Sequence, residues 1–201
     1  LTNNNLLIRI FTIKFLGMTA LLLIDIQTGL QEIEFYGTVR NNPEAETNAQ
    51  KILDAFRRKN WPIFHVQHNS TNPDSPLHPS KKGHALHPLV APIDGEPIIQ
   101  KNVNSAFIGT DLESRLKNQN ISDLVIVGLT TEHCVSTSAR MAANLGFSVT
   151  LISDATAAFD KTGADGKWYS AETIHQTNLA VLKDEFAQVI NTATLLEKLA
   201  D

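Results

Sequence analysis

The sequence holds a single cysteine among its 201 residues. One thiol excludes an intramolecular disulfide and a zinc site of the multi-cysteine kind. Basic residues are not in excess either: 17 Lys and Arg stand against 21 Asp and Glu, a formal net charge of −4. That is the wrong sign for a protein whose affinity comes from neutralising phosphates, so no nucleic acid partner is expected. No apolar run reaches the roughly 20 residues that cross a bilayer. The apolar stretch at 6–16 is short, carries Arg9 and Lys14, and is not followed by a small-residue cleavage site. Neither membrane insertion nor secretion is therefore expected, and the expected location is cytoplasmic. Internal repeats and low-complexity tracts are lacking. No G-x-G-x-x-G follows the first apolar segment of the domain, which disfavours dinucleotide binding.

What is present is enough for a substantial core, with 42% hydrophobic and 19% charged residues. The length fits one domain. Residues 1–17 do not begin with Met, whereas Met18 is followed at once by TALLLID. Residues 1–17 are read as an extension, with translation expected from Met18 and a single domain over 18–201. From Met18 onward, short β-branched apolar runs alternate with helical patterns, the signature of βαβ units around a parallel sheet. Strands are predicted at 19–25, 62–67, 97–101, 123–128, 147–153 and 186–191. Helices are predicted from Asn42-Pro43, at 110–118, at 132–145 with Gly146 as the stop, at 170–184 and from 192. The segment 68–96 breaks the rhythm with five prolines (Pro73, Pro76, Pro79, Pro88, Pro92) and no periodicity. Long loops in compact domains are usually lids or binding loops, and this one follows a strand end, where open α/β sheets place their ligands.

In a parallel sheet the carboxyl ends of the strands share one edge, so residues there converge even when distant in sequence. Asp25 ends the first strand, Lys101 ends the third, and Cys134 opens the helix after the fourth. Each has a plainer reading: Asp25 as a turn cap, Lys101 as a solvated charge, Cys134 as a small core hydrophobe. Their joint placement argues for chemistry. A thiol attacks as the thiolate, which a helix N-terminus and a neighbouring cation both favour, so a depressed Cys134 pKa is expected. Asp25 is placed to take the thiol proton and return it to a leaving amine. Unpaired amides up to and including that of Cys134 are placed to bind an oxyanion.

The stretches TALLLIDIQTGL, KNVNSAFIGTDLESRL and GLTTEHCVSTSARMAANLGFSVTLISDATAAFD resemble, in this order, the isochorismatase-like cysteine hydrolases, which include nicotinamidases and other small-amide hydrolases. The resemblance runs from Met18 to near the C-terminus. It implies a three-layer α/β/α fold with a six-stranded, mostly parallel sheet, and Asp25, Lys101 and Cys134 as the catalytic triad. It also implies a cis peptide at Leu129-Thr130 that turns the Thr130 and Cys134 amides toward the substrate oxygen, and assembly into dimers or larger homo-oligomers. Two departures are informative. Nicotinamidases carry an Asp-x-His metal motif after the second strand, with a further His downstream. The matching stretch here, His65-Val66-Gln67-His68-Asn69, has no Asp. Isochorismatases proper, which cleave a vinyl ether, lack the nucleophilic cysteine that Cys134 supplies.

The expected activity is hydrolysis of a C–N bond in a small amide, carbamoyl or ureido compound through a thioester, without cofactor. Competing readings are a redox-sensing or partner-binding thiol on the same fold, and an isochorismatase or nicotinamidase activity. No metal is expected: His65 and His68 sit three apart on a strand and face opposite sides. Gln31, His68, Asn69, Asn104, Phe107 and His133 are the candidate substrate contacts.

Overall fold

The computed structural model describes residues 17–200. The expectation that residues 1–17 form an extension falls, apart from Gly17, outside the described residues. Six strands form one sheet: β1 (Met18–Ile24), β2 (Ile63–His68), β3 (Ile98–Lys101), β4 (Ile121–Leu129), β5 (Ser148–Ala157) and β6 (Gln188–Ile190). Their spatial order is 3-2-1-4-5-6, and each of the five neighbouring pairs is parallel. The sheet is thus wholly rather than mostly parallel. The chain winds one way from β1 to β3 and the other way from β4 onward. That reversal puts the switch point between β1 and β4, where such sheets open a crevice at their carboxyl edge.

The helices are α1 (Ala45–Arg58), α2 (Leu112–Asn118), α3 (Ser136–Asn144), α4 (Ala171–Leu182) and α5 (Thr192–Ala200). β1 shows why the sheet needs helices on both faces. Ala20, Leu22 and Ile24 pack with Leu112 and Leu116 of α2, Ala139 and Ala142 of α3, and Leu179 and Leu182 of α4. The alternate residues Leu21 and Leu23 pack with Ile52, Leu53 and Phe56 of α1 and Leu195 and Leu199 of α5. A strand buried on both faces reads as a continuous apolar run, which is how TALLLI appears in the sequence.

Differences from the predicted elements lie at their ends. Pro43 does not begin α1: Asn42 adopts a left-handed conformation, with φ of 45°, and the helix starts at Ala45. The predicted 132–145 helix is two pieces, a wide π-helical turn over Thr131–Val135 followed by α3. β5 continues past the predicted boundary to Ala157, and a short hairpin pairs Lys161–Thr162 with Trp168–Tyr169.

Candidate active site

Gly128 sets the spacing of the crevice. It pairs with Ile24 across β1 and β4, has φ of 132°, and a Cβ there would fall 2.0 Å from the Ile24 carbonyl oxygen. Only glycine lets the strands approach this closely where one leads into Asp25 and the other toward Cys134. Asp25 follows β1 in the left-handed region at φ 51°, with its amide donating to the Val66 carbonyl. Lys101 is the last residue of β3, in register with His68 of β2. Cys134 lies inside the π-helical turn after β4, and the peptide bond entering that turn, Leu129-Thr130, is cis.

The three side chains meet. Lys101 Nζ donates to Asp25 Oδ2 at 2.6 Å, the Val103 carbonyl at 3.1 Å, His68 Nδ1 at 3.2 Å and Cys134 Sγ at 3.3 Å. Four acceptors share three N–H bonds, so the ammonium is saturated and its position is over-determined. The Lys101–Asp25 pair is fully out of solvent, with side-chain exposures of 0% and 1%. Asp25 Oδ1 is buried without a hydrogen-bond partner. Such an oxygen beside a thiol is poised to receive a proton.

The electrostatics correct one expectation. The Cys134 thiol is pushed well above its ordinary range, first by burial and next by the Asp25 carboxylate; Lys101 pulls the other way but does not prevail. The depressed pKa inferred from a helix N-terminus is not found, because Cys134 sits within a wide turn against a buried carboxylate. The resting state therefore holds a thiol. His68 is held below the usual histidine range by burial and by Lys101, in keeping with an Nδ1 that accepts the Lys101 hydrogen bond.

Above the thiol is a cavity of about 300 Å³ lined by Asp25, His68, Asn104, Thr130, Glu132, His133, Cys134 and Lys161, with an apolar wall of Leu30, Tyr36, Leu77, Leu129 and Phe159 and Ser75 at its side. Of the expected contacts, His68, Asn104 and His133 line it. Gln31, Asn69 and Phe107 do not. The exposed Gln31 bonds His87, and Asn69 Oδ1 accepts from His84 Nε2 at 2.7 Å within the long loop. Phe107 is a buried core residue whose ring stacks against Phe147 at 6.1 Å.

The wall residues that sequence reasoning missed come from segments without periodicity. Tyr36 belongs to a single helical turn, Ile33–Tyr36, and stacks on Phe159. Phe159 and Lys161 flank Asp160, whose carboxylate accepts from the Thr38 and Val39 amides, the Thr38 hydroxyl and the Trp168 indole. Those bonds overcome burial and hold the Asp160 carboxyl well below the ordinary range. Gln27 is a further positioning residue: Nε2 donates to the carbonyls of His68 and His84, and Oε1 accepts from the His68 amide. A glutamine two residues past a strand-end aspartate carried no signal of this.

Among the described residues, Asp25, His68 and Cys134 offer three possible metal-ligand atoms within 4.8 Å of one another. All three are already turned on Lys101 Nζ, so an ammonium takes the place a metal ion would need. His65 does not join them. It is bonded to Glu96 at 2.9 Å on the other side of β2. The residues present do not fit the nicotinamidase type of metal site.

Fold and site define a doubly wound α/β hydrolase with a cysteine at the sheet's switch point. The family model for the isochorismatase domain matches residues 19–194, and the chain belongs to the isochorismatase family. It is 48% identical over 177 residues to the isochorismatase family protein YrdC of Bacillus subtilis, covering 88% of this chain and 94% of that one. It is 26% identical over 165 residues to Nicotinamidase 3 of Arabidopsis thaliana, covering 76% and 78%. A crystal structure of a member of the isochorismatase family from Chromobacterium violaceum superposes with a TM-score of 0.87 at 40% identity, covering 90% and 93%. The protein is a hydrolase of this family. Among the described residues no helix is long and apolar enough to cross a membrane.

Proposed function

We propose that the chain is a cysteine amidohydrolase of small amide, carbamoyl or ureido compounds, with Cys134 as nucleophile, Asp25 as proton shuttle and Lys101 as the cation that orients both. The observation that carries this is the buried, unpartnered Asp25 Oδ1 beside a thiol that holds its proton at rest. Deprotonation is then coupled to attack. Asp25 takes the thiol proton as Sγ bonds to the carbonyl carbon, and the carbonyl electron pair moves onto oxygen. The backbone amides of Thr130 and Cys134 are the donors assigned to that oxyanion. Collapse re-forms the carbonyl and breaks the C–N bond, and Asp25 gives its proton to the departing nitrogen. Water, deprotonated by Asp25, attacks the thioester; the C–S bond breaks and the thiol recovers its proton.

A redox-sensing role is not favoured by this geometry, since a sensor thiol is exposed and acidic whereas Cys134 is held protonated at the floor of a cavity. A nicotinamidase dependent on metal is not favoured by the engagement of His65 with Glu96. The vinyl-ether chemistry of isochorismatases proper does not call for the cysteine. Assembly of the chain into a homo-oligomer belongs to this proposal as well, on the resemblance alone. The test is ammonia release from a panel of small amides, with Cys134→Ala as the blank. Release by the native protein and none by the variant is expected. Equal release by both would sink the mechanism.

A further inference from the structure

Among the described residues, seven buried side-chain polar atoms lack a hydrogen-bond partner, and five belong to residues lining this one cavity: Asp25 Oδ1, Tyr36 Oη, Thr130 Oγ1 and both carboxylate oxygens of Glu132. Buried polar groups are ordinarily paired, so a cluster of orphans in a cavity marks the places a ligand's own groups are to fill. Asp25 Oδ1 is accounted for by the proton transfer. Glu132 is not. Its side chain is only 6% exposed, the basic groups beside it are Lys161 Nζ at 3.4 Å and the His133 ring, Nε2 at 3.9 Å, and neither makes a hydrogen bond to it. A carboxylate accepts hydrogen bonds and donates none. This one lies two residues before the nucleophile, with two vacant acceptor atoms.

The charges around the cavity narrow the class of donor. Asp25 faces Lys101 and Glu132 faces Lys161, so each carboxylate already has a cation and each cation a carboxylate. Burial holds His68 and His133 below the usual histidine range, which keeps both rings neutral at pH 7. A substrate with a second carboxylate would bring a negative charge against Glu132 and find every cation engaged. A cationic substrate would compete with Lys161 for the same carboxylate. A neutral group with N–H bonds satisfies the vacant oxygens without disturbing either pair.

We infer that Glu132 is a specificity-determining acceptor, and that the substrate is a small uncharged amide or urea with N–H donors at the end remote from the scissile carbonyl. This rests on the amidohydrolase reading for which end of the substrate meets Cys134. The probes are malonamide, succinamide and glutaramide, each beside the monoamide in which the second amide is a carboxylate. Each is tested for slowing the alkylation of Cys134 by iodoacetamide. At least one diamide is expected to protect the native thiol at a concentration tenfold or more below that of its carboxylate partner. In Glu132→Gln, which keeps the shape and removes the charge, the ratio is expected to fall within twofold of unity or to invert. If that variant does not fold, Glu132→Asp withdraws the acceptor atoms and is expected to weaken diamide protection at least tenfold. A merely structural Glu132 would lower protection by both partners alike and leave their ratio in place. Failure of every diamide to protect the native protein, or an unchanged ratio in the variant, overturns the inference. Ammonia release from the same diamides is read separately. Protection without release beyond the Cys134→Ala blank rejects the hydrolysis and leaves the acceptor site standing, whereas release with an unchanged ratio does the reverse.

Discussion

The floor and the wall of the cavity are built by different means. The floor is made of strand ends: Asp25, Lys101 and His68 sit at the carboxyl ends of β1, β3 and β2, and Cys134 is one turn beyond β4. Their positions follow from the sheet, whose parallel register and doubly covered core leave little freedom. The wall is made of loops latched by polar contacts: Tyr36, Ser75, Leu77, Phe159 and Lys161 come from three separate segments. One latch is Asp160, holding residues 38 and 39 and Trp168. Another is Glu96, which closes the long 68–96 loop by accepting from Arg57 and His65. A rigid edge carrying the chemistry and an adjustable wall choosing the substrate is how one fold serves many reactions.

If the floor alone performs the chemistry, its variants lose turnover and the wall's do not. Asp25→Asn is expected to lower kcat by about 10²- to 10⁴-fold, the usual contribution of a positioned general base. Steady-state kinetics on any amide substrate checks this, and a loss below tenfold would place the proton shuttle elsewhere. Gly128→Ala strikes the frame of the floor, since the added methyl meets the Ile24 backbone and the residue must keep a positive φ. It should cost about 1–3 kcal/mol in a denaturant melt, the range of overpacked sites.

The latches predict a pH dependence for the wall. Burial alone would raise the Glu96 carboxyl, but hydrogen bonds from Arg57, His65 and the Ile93 amide outweigh it and hold the group at about 2, against an ordinary 4.5. A depressed carboxylate contributes stability above its unfolded pKa and loses that contribution as pH falls through the folded value. Glu96→Gln should therefore lower the melting temperature fully above pH 4.5, and the difference from the native protein should close as pH approaches 2. A difference constant over that range would mean that shape rather than charge holds the loop. The smallest effect belongs to Gln31→Ala. Because Gln31 faces His87 outside the cavity, kcat and KM should stay within about twofold of native, as for a surface substitution.

The same contrast explains what could be read from the residues. β1 and β4 announce themselves through the apolar runs ALLLI and LVIV because a strand buried on both faces has no polar side to show. Their ends, together with that of β3, then place Asp25, Lys101 and Cys134 on one edge. Phe107, three residues past Asn104, reads as a pocket residue because an aromatic there looks the same in sequence whether it turns outward or stacks on Phe147, a choice made by tertiary packing. Tyr36 and Phe159 lie 123 positions apart and meet only because Asp160 binds the backbone of residues 38 and 39. No local pattern encodes that contact. Glu132 stood in plain view in TTEHC, yet its vacancy of hydrogen-bond partners exists only in three dimensions.

In the proposed mechanism Asp25, Lys101 and Cys134 act as one electrostatic unit around a thiol that is protonated at rest. The pH dependence of Cys134 alkylation by iodoacetamide measures it most directly, in the native protein, Asp25→Asn and Lys101→Met, with folding of each confirmed by circular dichroism. The native midpoint should lie above the ordinary thiol value of 9.0. Removing the Asp25 carboxylate should lower it and removing the Lys101 ammonium should raise it further. A native midpoint below 9.0, or shifts of the same sign in the two variants, would contradict the account.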